Sequence, residues 1–579
     1  MSSIPSREGS LDVAVIGAGP AGLTLAGLLA KYRPGTRVEV FERARIGQPK
    51  IGESLLVDVN RILEDLGALE AVEAAGFSTK HGVTFVWGGA RERHTFLWRE
   101  GKAAVDPPEG YQLDYTWHVD RYRYDAILAD AARARGVTIH EEAAATDVLM
   151  DGDRVAGVVI KRAGGEVERV RARFVIDCAG KSGPLARTRS GRTLDEQLRN
   201  IAVFGYLDGV RWDEALSGPA DERRTAVITH PRGWVWLIPL AGDRASVGFV
   251  TTLERFRADG PPADLSRYHA DALRELPEHE ALFGAATRID YRGDGQLVRS
   301  VQEYSYQCAR VEGPGWALCG DAAGFVDAIL SIGCFVAQAH AQFLACALAT
   351  ALDAPERERF ALECYETVVR ENLAAFRAVA HMFYAFNDTA TEFWAACRDE
   401  LRKGTLIPDA RDKEASLAFF SGFSARNALY DTALGSLGGT FLTDVGGQLF
   451  KREALFKEDP MGERAAWAKR LARSDRALRL ARGVELRPFA LPRVEDGRLA
   501  PLTRVELSVD GHRRHLYVPD ALAPAVRAFD GTRSIAAIAR ELAAGDAHAE
   551  AAYRTEAMKL AYRLLCMGAL EDQGARGAA

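Results

Sequence analysis

The sequence has little that would tie it to nucleic acid, to a membrane or to an oxidising compartment. Its 74 Lys and Arg are outnumbered by 80 Asp and Glu, a net charge of -6, so no basic excess draws it to a polyanion. Eight cysteines, Cys178, Cys308, Cys319, Cys334, Cys346, Cys364, Cys397 and Cys566, are spread over 579 residues with no C-x-x-C pair. That spacing excludes a disulfide scaffold and gives no metal signature; buried thiols of a reducing cytoplasm are expected. The opening MSSIPSREGS lacks an apolar signal core, so no export or transit segment is expected. The longest apolar stretch, Phe335 to Leu352, is interrupted by Gln338, His340 and Gln342 and falls short of the roughly 20 apolar residues of a membrane span. A core helix is expected there. Chain length predicts two or three packed units.

What is present begins at LDVAVIGAGPAGLTLAGLLAKY, an apolar run that breaks at glycines and resumes with helical spacing. Gly17, Gly19 and Gly22 form G-x-G-x-x-G, with Ala21 inside it. The first glycine permits a tight turn, the second lets the backbone approach a pyrophosphate, and the third packs helix on strand. Phosphate would sit at the helix N-terminus. A second strand, RVEVFERA, carries Glu42 about 20 residues past the last glycine, where a carboxylate takes ribose hydroxyls; Arg43 follows it. In RGWVWLIPL, strand alternation predicts that Trp234, Trp236 and Ile238 share one face. In KIGESLLVDVNRILEDLG, Ser54 precedes Leu55, Leu56, Val59, Ile62, Leu63 and Leu66 at helical spacing and is a candidate N-cap. Lys80 opens an apolar, β-branched run that ends at Trp87-Gly88.

Two further segments resemble the FAD-binding motifs of the flavoprotein monooxygenase superfamily: RARFVIDCAGKSG, around Asp177, and GWALCGDAAGFVDAILSIG, around Gly320 and Asp321. The resemblance implies that Asp321 binds the ribityl chain. The segment WHVDRYRYDAILADAARARGV resembles the one that supplies an arginine to the cofactor, which points to Arg121; an ion pair with Asp125 is the structural alternative. Three motifs narrow the likeness to flavin-dependent halogenases. Trp234, Trp236 and Ile238 resemble the W-x-W-x-I-P signature. The Gly52-Glu53-Ser54 segment resembles that of members acting on phenols, pyrroles and carrier-bound acyl groups, with Val57 where proline is usual. Lys80, Gly82, Phe85, Trp87 and Gly88 match K-x-G-x-x-F-x-W-G.

The fold expected is α/β: a Rossmann-like GxGxxG FAD-binding domain over residues 1–390 with an inserted mixed or antiparallel substrate sheet at about 185–310. A helical extension over 391–482 follows. A proline-bearing linker then leads into a small winged-helix-like domain over 483–579, with a hairpin turn at Asp510-Gly511. The resemblance implies a halogenase working on an aromatic or activated acyl group in natural-product biosynthesis. It would use FAD reduced by a separate flavin reductase, O2, and chloride or bromide. The substrate would be a small molecule or one tethered to a carrier or peptide. Lys80 would hold electrophilic halogen beside the substrate, Glu53 would act as base, and the two tryptophans would wall substrate from flavin. Halide would sit at the helix start formed by Ser331, Ile332 and Gly333, although Ile332 replaces a usual hydroxyl residue and Ala328 a usual proline. Leu330 stands where tryptophan-specific members carry glutamate, so free tryptophan is not the expected substrate. The competing readings are a monooxygenase or oxidase on the same scaffold, and a flavin-bearing binding module.

Overall fold

The computed structural model describes residues 6–88, 91–98, 114–259, 264–302, 304–385 and, with short breaks, 470–572. They divide into two compact units, one reaching the end of the helix Glu358–Ala385 and the other starting beyond it.

The first unit is built on a sheet with the order Glu312–Gly313, Trp316–Leu318, Val167–Asp177, Ser6–Ile16, Val38–Phe41, Thr138–His140. Its four pairings from Trp316–Leu318 onward are parallel. Parallel strands need cover on both faces and therefore read as unbroken apolar runs, as Val13, Ala14 and Val15 do, all with no exposed surface. The helix Pro20–Tyr32 packs on Gly333–Asp353 and on Arg121–Ala134. Gly333–Asp353 is long and apolar enough to cross a membrane, but its apolar window is buried inside the protein, the core helix expected from its interrupting polar residues. Ser6–Ile16 sits where the strand order reverses, and such sheets hold ligands in the crevice at the carboxyl ends beside it.

A second sheet has the order Thr287–Ile289, Asn200–Asp208, Ala245–Thr252, Gly233–Pro239, Arg224–His230, Gly82–Trp87, Glu92–Leu97, and is antiparallel apart from the pairing of Arg224–His230 with Gly82–Trp87. The expected span of 185–310 thus misses two strands: Gly82–Trp87 and Glu92–Leu97 cross over to join this sheet. One face, with Val203, Ile228, Val235, Leu237, Val247 and Phe249, packs on Tyr268, Ala272 and Leu273 of the helix Leu265–Arg274. The register sets Phe85, Val227, Trp236, Gly248 and Phe204 in one row across the opposite face. Thr229, Trp234, Val250 and Ala202 form the next row.

A small third sheet pairs Ser78–Lys80 with Thr116–His118, and Ser54 bridges to His118 from the other side. The helix expected from Leu55 starts only at Val59. Ser54 does not cap it, because its hydroxyl is hydrogen bonded to Thr225 at 2.8 Å.

The C-terminal unit corrects two expectations. Most of 391–482 lies outside the described residues, but Ala477–Leu480 is a strand, set between Asp530–Ser534 and Leu570–Asp572. The stretch read as a proline-bearing linker forms two long strands, Val484–Glu495 and Arg498–Val509, in a meander with His512–Pro519. Prolines fit because Val484–Glu495 is an edge strand with a break in register between Phe489 and Arg493, the places where a missing N–H is tolerated. The expected turn residues Asp510 and Gly511 lie outside the described residues. Helices Ala523–Arg527, Ile535–Leu542 and Ala547–Cys566 complete the unit.

Candidate active site

The glycine turn has the shape that a dinucleotide requires. Gly17 has φ +97°, and a Cβ on it would lie 2.9 Å from the Cys178 carbonyl; one on Gly22 would lie 2.0 Å from the Gly17 carbonyl. Gly19, in contrast, has no atom within 4 Å of its Cβ position, so its backbone is open to approach at the N-terminus of Pro20–Tyr32. Glu42 accepts from the N–H of Ala18 at 2.8 Å and of Ala44 at 3.1 Å, which fixes a carboxylate beside the turn. Arg43, next along, is exposed. Ala21 reaches the second motif, since a Cβ on Gly320 would lie 2.9 Å from its own. Asp177 accepts from the N–H groups of Ala179, Leu185 and Ala186 at 3.0, 3.0 and 3.1 Å and so shapes the loop after its strand. Asp321 keeps exposed side-chain surface, yet the protein around it pushes its carboxyl up to about 6, with Arg121 opposing. These donors and open backbone fit FAD.

Arg121 opens the helix Arg121–Ala134 and grips Asp125 with two bonds, of 2.9 and 3.1 Å, while its third nitrogen donates to the Ile51 carbonyl at 2.8 Å. The structural ion pair is therefore present. Through Ile51 it also anchors the segment that carries Glu53.

Glu53 is buried and accepts from the Tyr206 hydroxyl at 2.7 Å and the Gly52 N–H at 2.9 Å. Burial raises its pKa above the ordinary carboxylate range, against those hydrogen bonds and Arg121. Tyr206 belongs to the strand Asn200–Asp208, so this bond ties the Glu53 segment to the aromatic sheet. Its ring stacks on Tyr291 with centroids 4.0 Å apart.

Lys80 is the clearest departure from ordinary behaviour. Its side chain is 1% exposed, and Nζ donates to the Leu55 carbonyl at 2.8 Å. Nζ also lies 5.6 Å from the Trp98 ring centroid. Among the described residues no carboxylate pairs with it, so Lys80 and Glu53 form no ion pair. Burial alone lowers its pKa to about 7. A neighbour unsuspected from sequence is His118, on the strand paired with Ser78–Lys80. Its Nε2 meets the Thr225 hydroxyl at 2.9 Å, and burial first, then Lys80, His81 and Arg223, hold it well below the ordinary histidine value.

Trp234 and Trp236 do share the face predicted, with ring centroids 6.0 Å apart, and both are buried. Ile238 follows on the same side. Trp236 lies flat over Gly248, where a Cβ would come within 2.2 Å of the indole. The end of the helix Glu358–Ala385 closes on this face. Phe383 sits 5.1 Å from Phe85 and 5.5 Å from Trp87, centroid to centroid, and Tyr384 accepts from Trp234 Nε1 at 2.8 Å. Helical periodicity makes a core aromatic the default reading of Tyr384 and a place in the active site the alternative. Ser331 has a left-handed backbone with φ 55°, Ile332 caps the helix, and Gly333 begins it. Cys334 Sγ donates to the Gly52 carbonyl at 3.3 Å, which brings this segment against Glu53.

A parallel α/β sheet with a glycine-turn cradle, joined to a tryptophan-lined sheet and a buried lysine, has the build of a flavoprotein. Residues 12–107 and 95–412 match the tryptophan halogenase family. The chain is 33% identical over 392 residues to the tryptophan 2-halogenase of Chondromyces crocatus, covering 67% of this chain and 70% of that one. Identity to the 1H-pyrrole-2-carbonyl-[peptidyl-carrier protein] chlorinase of Pseudomonas fluorescens is 27% over 397 residues, 66% of this chain and 85% of that one. Among solved structures, the flavin-dependent halogenase CmlS is similar with a TM-score of 0.65 at 26% identity, over 98% of this chain and 97% of that one. The myxobacterial chondrochloren halogenase CndH is similar with a TM-score of 0.59 at 30% identity, over 76% and 96%. The chain belongs to the tryptophan halogenase family and is a flavin-dependent halogenase. It uses FAD, halide and O2, with a separate flavin reductase.

Proposed function

We propose that this enzyme halogenates an electron-rich aromatic ring of the pyrrole or phenol type, presented on a carrier or peptide, in natural-product biosynthesis. The observation that carries the reading is Lys80: a fully buried amine, unpaired with any described carboxylate, held beside the aromatic sheet. When bound, FAD supplies with O2 the two-electron oxidation of halide to hypohalous acid. Gly17, Gly19, Ala21, Gly22 and Glu42 hold its adenosine and pyrophosphate side, with Arg43 beside them, while Arg121, Asp321 and Gly333 hold its flavin side.

Ser331, Ile332 and Gly333 offer the positive end of a helix to the halide, an anion site built without a countercharge. Trp234, Trp236 and Ile238 form a wall that keeps substrate from the flavin, so that only a small oxidant passes. Lys80 retains that oxidant next to one ring carbon, which is catalysis by proximity. A pKa of about 7 makes both the hydrogen-bonding ammonium and the nucleophilic amine accessible at neutral pH. The ring attacks halogen, the Lys80 ammonium gives a proton to the departing oxygen so that water leaves, and Glu53 takes the proton from the substituted carbon; burial makes it a stronger base than a solvated carboxylate.

Incubation with FAD, a flavin reductase, bromide and a panel of pyrrole, phenol and indole substrates, free and carrier-bound, tests the proposal by mass spectrometry. Bromination of the carrier-bound pyrrole or phenol alone supports it. The 33% identity to a tryptophan 2-halogenase favours a second reading, in which a free indole is the substrate, and product from free tryptophan alone would establish that instead.

A further inference from the structure

Asp327 lies directly behind the segment assigned to halide and has no exposed surface. Its carboxylate accepts from the N–H of Ile329 at 3.0 Å, from Asn200 Nδ2 at 3.3 Å and from the Tyr384 hydroxyl at 3.2 Å. Tyr384 in turn accepts from Trp234 Nε1 at 2.8 Å. One continuous set of hydrogen bonds therefore runs from the tryptophan wall to the turn Ala328–Leu330, and that turn ends in Ser331.

The conformation of this loop needs outside support. Ser331 adopts φ 55° and ψ 27°, the left-handed region that disfavours residues with a side chain, and such strain persists only where the surroundings over-determine it. Neither neighbour supplies that constraint covalently. Ala328 has no ring to fix φ as a proline would, and Ile332 offers no hydroxyl to bond back. What fixes the loop is the Asp327 cap on Ile329 and the Ser331 N–H bond to the Ala328 carbonyl at 3.1 Å. Asp327 is itself held in place by Tyr384 and Asn200.

We propose that Tyr384 and Asn200 are positioning residues for halide. Acting through Asp327, they keep Ser331 in its left-handed turn, so that the first-turn N–H groups of the helix Gly333–Asp353 converge on the anion. Tyr384 bonds Trp234 as well, so the same residue sets the wall that separates flavin from substrate. The inference rests on the assignment of halide to Ser331, Ile332 and Gly333.

The experiment compares wild type, Tyr384→Phe, Asn200→Leu and Gly333→Ala. Bromide affinity is read in two ways: as the bromide KM for bromination of monochlorodimedone with FAD and a flavin reductase, and as the bromide-dependent rise in melting temperature of the FAD-loaded protein without turnover. Loss of one buttressing hydrogen bond to a charged group should weaken bromide about tenfold in both readouts, with kcat within about twofold for Asn200→Leu, which does not touch the tryptophan wall. Asn200→Leu carries the same expectation and stands in if Tyr384→Phe does not fold. Gly333→Ala adds a methyl 3.2 Å from Phe325 Cε2, inside the halide segment itself, and should also weaken bromide. If Gly333→Ala weakens bromide while Tyr384→Phe and Asn200→Leu match wild type, the positioning role is overturned and the halide assignment stands. If bromide affinity is unchanged in all three, the halide assignment itself falls, and the inference with it.

Discussion

Replacing Lys80 by methionine keeps most of the buried volume and removes only the amine. Two consequences can be worked out from the structure. The first concerns stability. A fall from the ordinary 10.5 to about 7 means that burial favours the neutral amine by on the order of 5 kcal/mol. The unfolded chain holds this proton up to about 10.5 and the folded chain only up to about 7, so between those values unfolding takes up a proton and stability rises with pH. Below about pH 7 the full penalty applies to wild type and is absent from Lys80→Met. Against it stands the Leu55 carbonyl, which loses its donor at about 1–3 kcal/mol. The variant should therefore melt higher than wild type at pH 6, and its advantage should shrink steadily as the pH approaches 9.5. The second consequence is catalytic. FAD binding and oxygen consumption should persist, peroxide should accumulate, and halogenated product should fall at least about a hundredfold, because the oxidant is no longer retained at the substrate. Melting curves from pH 6 to 9.5, an oxygen electrode and product mass spectrometry provide the assay. Melting temperatures that differ by the same amount at every pH would refute the desolvated amine, and product at a substantial fraction of wild type would refute the delivery role.

Glu42→Ala removes both the ribose partner and the acceptor for the Ala18 and Ala44 N–H groups, so FAD affinity should drop by about tenfold or more; equilibrium dialysis with an unchanged Kd would remove Glu42 from the site. Gly22→Ala sets a methyl 2.0 Å from the Gly17 carbonyl, and the purified protein should carry no flavin absorbance. Substituting Trp234 and Trp236 together by smaller residues should raise peroxide formed per O2 consumed, and the wall role fails if uncoupling and halogenation both match wild type. Gly248→Ala tests the wall without touching it: a Cβ 2.2 Å from the Trp236 ring must push the indole off the sheet, and the same uncoupling should appear.

The parts of this molecule visible in sequence are those built from contiguous residues. The glycine turn, the alternation of Trp234 with Trp236 and the core helix around Phe335–Leu352 all follow from local spacing, and the structure has each of them. The partners of Lys80 were not visible, because Leu55, Trp98 and His118 reach it through pairings between segments far apart in the chain. The same holds for Gly82–Trp87, whose membership of the second sheet depends on a parallel pairing with Arg224–His230. Tyr384 reads from periodicity as a core aromatic with a place in the active site only as the alternative, since nothing in its own helix encodes a bond to Trp234 or Asp327. Prolines at 488, 492 and 501 suggested a linker. The backbone instead places Pro488 and Pro492 in an edge strand at its register break, and Pro501 on the middle strand opposite that break and outside the paired registers, where a missing N–H does no harm.

The three-segment sheet around His118 also bears on how the enzyme is made. Ser54, Ser78–Lys80 and Thr116–His118 close loops of more than twenty residues each, and Thr225 completes the arrangement from still further along. Contacts of such long sequence separation form slowly, because loop-closure entropy must be met before they contribute anything. Until they form, Lys80 is a solvated, fully charged lysine. Its change to a near-neutral amine is therefore a chronometer for the closing of this sheet: the time course of an amine-selective label reaching Lys80 would date the moment at which a folding chain acquires its chemistry.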